Sequence, residues 1–280
     1  MKGMGWLKDY PDIRDYTLKT REIRRLIKLD PDSNDKLPEK VDLREWCSPI
    51  EDQGNLGSCT ANAVCGLVEY LENRAFGKYI DASRLFLYKV TRRLLGFKGD
   101  TGAYIRSTMG ALALFGVPPE KYWPYDIEKF DVEPPAFCYA FAQNYQGLKY
   151  YRIDDGSPRR TVLKVIKQHL AMGYPLAFGF TVYSSIRKAE KDGKIPFPSP
   201  WDSVWGGHAV MAVGYDDSLE IPYGKNQKTV GAFLIRNSWG EEWGDKGYGY
   251  LPYDYVLYGL AVDWWALIKQ EWVDTKQFGF

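Results

Sequence analysis

The hydrophobic pattern changes its period near the middle of the chain, and this change limits the possible folds more than any other feature. From residue 37 to about 150, apolar residues recur at helical spacing, as in SRLFLYKVTRRLLG and IRSTMGALALFG. After one more helical segment, RTVLKVIKQHLAMG, the pattern becomes period two in glycine-punctuated runs such as YPLAFGFTVY, GGHAVMAVGYD and VGAFLIRNSWG. We therefore predict an α+β protein with a helical lobe over about 50–150, an antiparallel β lobe over about 151–270, and a cleft between them.

Residues 1–36 form a distinct N-terminal leader. The run LKTREIRRLIKL predicts a short amphipathic helix with Ile23, Leu26 and Ile27 on one face, and the polar run DPDSNDK after it is typical of a linker. The main domain is therefore expected to span residues 37–280.

Composition excludes several classes of function. The 280 residues carry 37 basic and 36 acidic side chains, so no global field selects nucleic acid or an anionic membrane. No apolar run approaches the ~20 residues that span a bilayer. The start MKGMGWLKDYPDIRDY lacks the apolar core of a secretory signal, and the sparing use of cysteine favours a reducing compartment such as the cytoplasm.

Metal binding is not indicated either. The four cysteines, Cys47, Cys59, Cys65 and Cys138, contain no CxxC pair. The two histidines, His169 and His208, are not spaced as metal ligands. His169 has no motif around it, so we expect a surface or core residue.

Cys59 is the candidate nucleophile. In QGNLGSCTANAV it follows a glycine-serine turn and stands in the first turn of a helix whose apolar face carries Val64 and Val68. The free N–H groups and dipole at a helix start favour the thiolate, which predicts a pKa below ~8.5. An isolated cysteine is more often a small buried hydrophobe, so the interpretation depends on partners elsewhere.

The β half offers two such partners. His208 in GGHAVMAVGY and Asn237 in IRNSWG both lie at the ends of strand-like runs, where side chains can face a cleft. A nucleophilic thiol needs a base, and the base needs a third group that fixes its orientation. Cysteine, histidine and asparagine can fill these three roles.

Together these motifs resemble the papain family of cysteine peptidases. Gln53 lies six residues before Cys59 in a Gly57-Ser58-Cys59 turn, and His208-Ala209 and then Asn237-Ser238-Trp239-Gly240 follow far downstream. The run EEWGDKGYGYL and the apparent mature start at Leu37 also match, so the resemblance covers most of the chain. It implies a papain-like two-lobe fold with a β-barrel-like second lobe.

The resemblance also implies a mechanism without a cofactor. Cys59 and His208 would form a thiolate–imidazolium pair that makes a thioester acyl-enzyme, with Asn237 holding the imidazole. Gln53 would stabilise the oxyanion. Gly57, Ser58, Gly102, Gly207 and Trp239 would contact the peptide or protein substrate, and Trp239 would shield the histidine–asparagine bond.

Two departures from the family pattern affect structure. Leu56 stands in place of the first cysteine of the family motif, and Thr60 replaces a tryptophan. His208 and Asn237 are farther apart than is usual, which predicts an enlarged hairpin around SLEIPYGKNQKT.

Some alternatives stay open. The chain could be a papain-fold acyl transferase or peptide ligase that uses the same thioester, or a catalytically silent binding homologue. The resemblance implies that the leader is a short pro-segment that crosses the cleft, and the alternative is a permanent structural arm that never meets the cleft.

Overall fold

The computed structural model describes residues 2–31, 33, 36–145 and 148–279. The helices are α1 (Arg21–Leu26), α2 (Cys59–Phe76), α3 (Arg84–Leu94), α4 (Ile105–Phe115), α5 (Ala136–Ala142), α6 (Arg159–Ala171), α7 (Asp254–Leu257) and α8 (Gln270–Asp274). The strands are β1 (Lys40–Asp42), β2 (Lys149–Arg152), β3 (Leu176–Tyr183), β4 (Val204–Gly224), β5 (Gln227–Arg236), β6 (Tyr248–Pro252) and β7 (Ala261–Ile268). The predicted change from a helical first half to a β second half is confirmed.

Helix α2 is the axis of the helical half. Every residue from Cys59 to Leu71 is buried, so the helix is covered on all sides and not only along one stripe. Helices α3 and α4 pack against it, and β4 of the second half covers another side. Gly77 ends the helix in the left-handed conformation at φ 67°, which glycine adopts without strain.

The β half is an antiparallel sheet in the order β2-β7-β3-β4-β5-β6, with β1 paired to β4. Long strand β4 lies at its centre because it pairs with β1, β3 and β5. The β4–β5 hairpin turns at Asn226, whose φ of 63° suits an asparagine in a tight turn. The enlarged hairpin therefore has the place that the sequence predicts.

Some elements are too short for a periodic signal to predict them. Strands β1 and β2 have three and four residues, and their pairing with β4 and β7 defines them. Helices α5 and α7 have seven and four residues and were also missed.

The leader packs on the main domain over much of its length. Ile23 on α1 is fully buried and Ile27 is 3% exposed, whereas Leu26 is only partly buried. The predicted helix is therefore confirmed, although it is shorter than the amphipathic run. Of the predicted linker, residues 32, 34 and 35 lie outside the described part of the chain.

Candidate active site

Cys59 is the first residue of α2 and has no solvent exposure. Burial raises the pKa of its thiol to about 11, although backbone N–H groups of Ala209, Gly5 and Thr60 lower it. This corrects the sequence prediction of a lowered pKa, since loss of hydration outweighs the helix start here. The covering residue is Gly5 of the leader, whose N–H donates to Sγ over 3.3 Å.

His208 lies on β4 beside Cys59, since the backbone N–H of the next residue, Ala209, acts on the thiol. Its Nε2 lies 2.8 Å from Asn237 Oδ1, just after the end of β5. The Trp239 ring stacks on the imidazole with centroids 4.5 Å apart. The predicted histidine–asparagine contact and its tryptophan cover are both present.

The other nitrogen of the His208 imidazole makes no hydrogen bond to the part of the chain that the structure describes. This nitrogen, Nδ1, is buried. Burial lowers the pKa of His208 to about 4, although Asn237 opposes this shift. With the leader in place, the neutral forms of both Cys59 and His208 are therefore favoured.

Gln53 is fully buried and contacts Ser238, the residue after Asn237. Its Nε2 donates to the carbonyl of Gly3 over 3.1 Å and to the carbonyl of Leu56 over 2.8 Å. Its Oε1 accepts from the Ser238 hydroxyl, which fixes the orientation of the amide. The side chain therefore points a donor at a carbonyl held in the cleft.

Three of the predicted substrate-binding residues, Gly102, Gly207 and Trp239, contact the leader directly. Gly102, at φ 72°, lies so close to the leader that a Cβ would stand 2.1 Å from the Gly5 carbonyl oxygen. The Gly207 carbonyl accepts from the Trp6 N–H over 3.1 Å. Trp239 Nε1 donates to the Gly3 carbonyl over 3.3 Å.

The other two predicted residues shape the turn before α2. A Cβ on Gly5 would stand 1.9 Å from the Gly57 carbonyl oxygen, so the two backbones touch. The Ser58 side chain turns away and hydrogen-bonds Tyr125 over 2.5 Å.

Residues 2–10, which we term the cleft segment, run through the cleft in an extended form. Ala103 N–H donates to the Gly5 carbonyl over 2.8 Å, and Leu7 N–H donates to the Ala103 carbonyl over 3.0 Å. Trp6 and Ala103 thus form a parallel bridge. Beyond Met4 the cleft widens into a cavity of about 370 Å³ that is also lined by Trp205 and Trp239.

Sequence reasoning missed several residues at this site. Ala103, one position after Gly102, supplies the backbone pairing, and Asp52 holds Lys2 over 2.7 Å. Asp263 binds the Trp6 indole. The one signal for Asp263 was a lone carboxylate inside the apolar run YGLAVDWWALI.

The remaining thiols and His169 lie outside the cleft. All four cysteines are free, and burial raises the pKa of Cys47 to about 11. His169 is a core residue, held by Tyr151 and the Val165 carbonyl. Within the described ranges no group of three or more His, Cys, Asp or Glu side chains could hold a metal ion, and no helix there is long and apolar enough to cross a membrane.

The two halves, with a cysteine at a helix start facing a histidine–asparagine pair across a cleft, have the architecture of a cysteine peptidase. The model of the papain family cysteine proteases matches residues 37–261. The chain belongs to this family. The match to the family model begins at residue 37, directly after the predicted leader.

Individual relatives agree with this assignment. The crystal structure of xylellain, a cysteine protease from Xylella fastidiosa, is 35% identical with a TM-score of 0.76, and the match covers 96% of each chain. An uncharacterized peptidase C1-like protein of Acanthamoeba polyphaga mimivirus is 36% identical over 95% of this chain and 86% of its own length. The thiol protease aleurain of Arabidopsis thaliana is 28% identical over 80% of this chain, which corresponds to 58% of aleurain.

Proposed function

We propose that the chain is an endopeptidase that cleaves peptide bonds through a thioester on Cys59. One observation carries the proposal: an extended peptide backbone, the cleft segment, already lies on the thiol. Gln53 donates to one of its carbonyls, and Cys59 accepts one of its N–H groups. A cleft that binds an extended backbone through main-chain groups can accept many peptide sequences.

The chemistry follows from the side chains in place. The Cys59 thiolate attacks the scissile carbonyl carbon, and the developing oxyanion accepts hydrogen bonds from the Gln53 amide and the Cys59 N–H. His208 gives its proton to the leaving amine as the C–N bond breaks, then takes a proton from the water that hydrolyses the thioester. Asn237 keeps the imidazole oriented.

The cleft segment holds the enzyme inactive in this proposal. Cys59 Sγ faces the Gly5 N–H and not a carbonyl carbon, so the bound backbone is not presented for attack. The same segment excludes water from the cysteine and histidine, which disfavours their charged forms. Displacement of residues 2–10 hydrates the pair and restores the thiolate–imidazolium state.

The test compares three full-length chains on an internally quenched peptide mixture: wild type, Gly5→Val, and Gly5→Val with Cys59→Ala. Valine at position 5 would collide with the Gly57 backbone and expel the cleft segment. We expect slow cleavage by wild type, faster cleavage by Gly5→Val, and none by the double variant. Labelling of Gly5→Val with iodoacetamide at pH 6 should modify Cys59 before Cys47, Cys65 or Cys138.

Product masses distinguish the alternatives. Hydrolysis adds water to the new carboxyl end, whereas an acyl transferase or peptide ligase would give an adduct when an amine is added. Peptide binding without cleavage, together with equal labelling of all four thiols, would indicate a silent binding homologue and contradict the proposal.

A further inference from the structure

A carboxylate ties the turn that carries the nucleophile to residues 99–103, which we term the wall loop. Asp100 lies in this loop, and its Oδ1 accepts from the Gly57 N–H over 2.9 Å, with Oδ2 at 3.1 Å. Gly57 stands two residues before Cys59. A Cβ at Gly57 would lie 2.9 Å from Asp100 Oδ1, so the close approach of the carboxylate requires a glycine here.

A buried tyrosine on α3 completes the connection. Tyr88 has no solvent exposure, and its hydroxyl donates to Asp100 Oδ1 over 2.5 Å and accepts from the Gly102 N–H over 3.0 Å. Burial and the adjacent carboxylate raise the pKa of Tyr88 well above its ordinary value, so the hydroxyl keeps the proton that it donates. Asp100 and Tyr88 therefore form a continuous hydrogen-bonded link from Gly57 to Gly102.

Helix α3 holds this link in place. The Arg92 guanidinium lies over the Tyr88 ring, 4.3 Å from its centroid, and Arg92 also donates to the Gly99 carbonyl. Arg92 is only 1% exposed. The helix thus holds the wall loop at Gly99 and at Gly102, and Asp100 between these two residues reaches the nucleophile turn.

The two ends of the link serve different steps of substrate handling. The Cys59 N–H, just after Gly57, is an oxyanion donor in the proposed mechanism. Ala103, next to Gly102, pairs with extended backbone in the cleft, since its N–H donates to the Gly5 carbonyl over 2.8 Å. A peptide substrate has to use both sides at once, and a small displacement of a bound substrate from the reactive geometry costs much of the rate.

We infer that Asp100 and Tyr88 are positioning residues of the peptidase, which hold the nucleophile turn at a fixed distance from the wall loop. The inference rests on the proposed function, because it treats the cleft as a substrate site. All four cysteines are free, so no disulfide braces the turn and hydrogen bonds have to hold it. A carboxylate that accepts from two donors makes stronger hydrogen bonds than a neutral acceptor would.

The experiment uses full-length chains with Gly5→Val, which opens the cleft, and adds Asp100→Ala or Tyr88→Phe. Two reactions of Cys59 are compared in each chain. Cleavage of a quenched peptide needs the wall loop and the oxyanion donors together, whereas alkylation by iodoacetamide needs only the thiolate. Damage confined to the turn would slow both reactions, and a loss of stability alone would slow neither well below Tm.

We expect each variant to cleave the peptide about tenfold or more slowly, mainly through kcat, and to be alkylated at close to the parent rate. Because the two residues act through one link, the double variant should be little slower than the slower single variant. Asp100→Asn keeps an oxygen for Tyr88 and should lie between the parent and Asp100→Ala. Parental cleavage in both single variants, or an equal fall in cleavage and alkylation, would overturn the inference.

Asp216→Ala and Tyr70→Phe are the matched controls. Asp216 on β4 also accepts from a backbone N–H and a hydroxyl, both of Ser218. Tyr70 is a buried hydroxyl that donates to the Gly173 carbonyl and accepts from Arg74. These variants remove the same chemistry elsewhere in the molecule, so they should keep the parent rates of cleavage and alkylation.

Hydrogen exchange examines the link without turnover. With Cys59→Ala added to the same chains, Asp100→Ala should speed amide exchange in the peptic fragments that cover residues 53–59 and 99–104, whereas Asp216→Ala should not. Unchanged exchange in both fragments would contradict the link itself. A Gly5→Val chain that cleaves no peptide would reject the proposed function alone, because the exchange rates would still decide whether Asp100 holds the turn.

Discussion

We expect Gln53 to have two roles in the cleft, one in catalysis and one in folding. Its amide N–H₂ donates to the Gly3 carbonyl of the cleft segment, and the same side chain is fully buried between Leu56 and Ser238. A buried donor aimed at developing charge contributes to catalysis without reorganisation. A buried side chain bonded on both ends also contributes to folding.

Gln53→Ala, in the Gly5→Val background, should therefore lower kcat by roughly 10²- to 10³-fold. It should also lower Tm, because Ser238 and Leu56 lose buried partners. Ser238→Ala is the comparison: it removes only the bond that orients the amide, so kcat should fall by about tenfold or less. Steady-state kinetics and thermal melts give both values, and a Gln53→Ala enzyme with near-parental kcat would remove this residue from the oxyanion site.

Glu69 on α2 carries a pH-dependent part of the stability. Burial raises the pKa of Glu69 from the ordinary 4.5 to about 7, although Arg236, the Ser48 hydroxyl and the Ala82 N–H oppose the shift. A carboxyl with a raised pKa in the folded state contributes stability that is complete below pH 4.5 and is lost as the pH rises through about 7. The loss amounts to about 3 kcal/mol.

The difference in free energy of unfolding between wild type and Glu69→Gln should shift by up to about 3 kcal/mol in favour of the variant between pH 5 and pH 8. Urea unfolding at several pH values measures this difference. Glu22→Gln, at an exposed position on α1, should follow wild type throughout. Parallel curves for wild type and Glu69→Gln would show that Glu69 titrates normally.

Individual residues of the candidate active site could be predicted where they belong to a sequence motif. Cys59, His208, Asn237 and Gln53, which the motifs name, come together in the structure. The ionisation of Cys59 was not predictable, because it depends on a cover supplied by distant Gly5. Asp263 was missed because a bulge, which leaves no periodic signal, turns it inward.

At the scale of elements, the cleft segment behaves as an extra strand. Its pairing with Ala103 leaves almost no space for side chains. At Gly3 and Gly5 the backbone of the segment passes directly against the backbone of residues 55–57. A Cβ on Gly3 would stand 2.2 Å from the Leu56 carbonyl oxygen, and one on Gly5 would stand 1.9 Å from the Gly57 carbonyl oxygen. Glycine is thus required at both positions.

Gly5→Val in the full chain should raise the rate at which iodoacetamide labels Cys59 at pH 6 by about tenfold or more, because an expelled segment no longer buries the thiol. Lys8→Val changes an exposed residue of the same segment and should leave the rate close to wild type. Mass spectrometry of quenched samples gives both rates. Equal labelling of Gly5→Val and wild type would show that the cleft segment does not cover the nucleophile in solution.

Helices and strands with a long run of one hydrophobic period were predicted well, whereas short strands and irregular segments were not. Helices α3, α4 and α6 and strands β3 to β7 follow the sequence pattern. The path of residues 2–10 depends on main-chain hydrogen bonds to Gly54, Ala103 and Gly207, and on isolated side-chain contacts such as that of Trp6 with Asp263. The sequence therefore contains no periodic side-chain pattern that predicts the path of this segment.

Across the whole molecule, the two parts of the leader contact different regions of the protein. The cleft segment covers Cys59, whereas α1 buries Ile23 and Ile27 in the core of the main domain. Between these parts, Asp15 binds Arg106 over 2.8 Å and Thr17 bridges to Arg152. We propose that the first part regulates the enzyme and the second part stabilises it.

Two truncations should separate these roles. A chain starting at Pro11 loses the cleft segment alone and should cleave peptides faster than the full chain, with a modest fall in Tm from the loss of the Trp6 and Asp9 contacts. A chain starting at Leu37 also loses Ile23 and Ile27, whose burial is worth about 1.5 to 3 kcal/mol each, so its Tm should fall much further.

The added cleft peptide decides whether inhibition is specific. A synthetic peptide of residues 2–10 should slow the chain that starts at Pro11 in a concentration-dependent way, because it restores the backbone pairing with Ala103 and the Trp6 contact with Asp263. A version with Gly5 replaced by valine has the same charge and nearly the same composition, but its Cβ would collide with the Gly57 backbone, so it should inhibit at least about tenfold less. Equal rates for the full chain and the chain that starts at Pro11 would leave the leader a structural arm throughout. Faster cleavage without inhibition by the peptide would mean that the segment acts only when tethered, since a linked segment has a high effective concentration that a free peptide lacks.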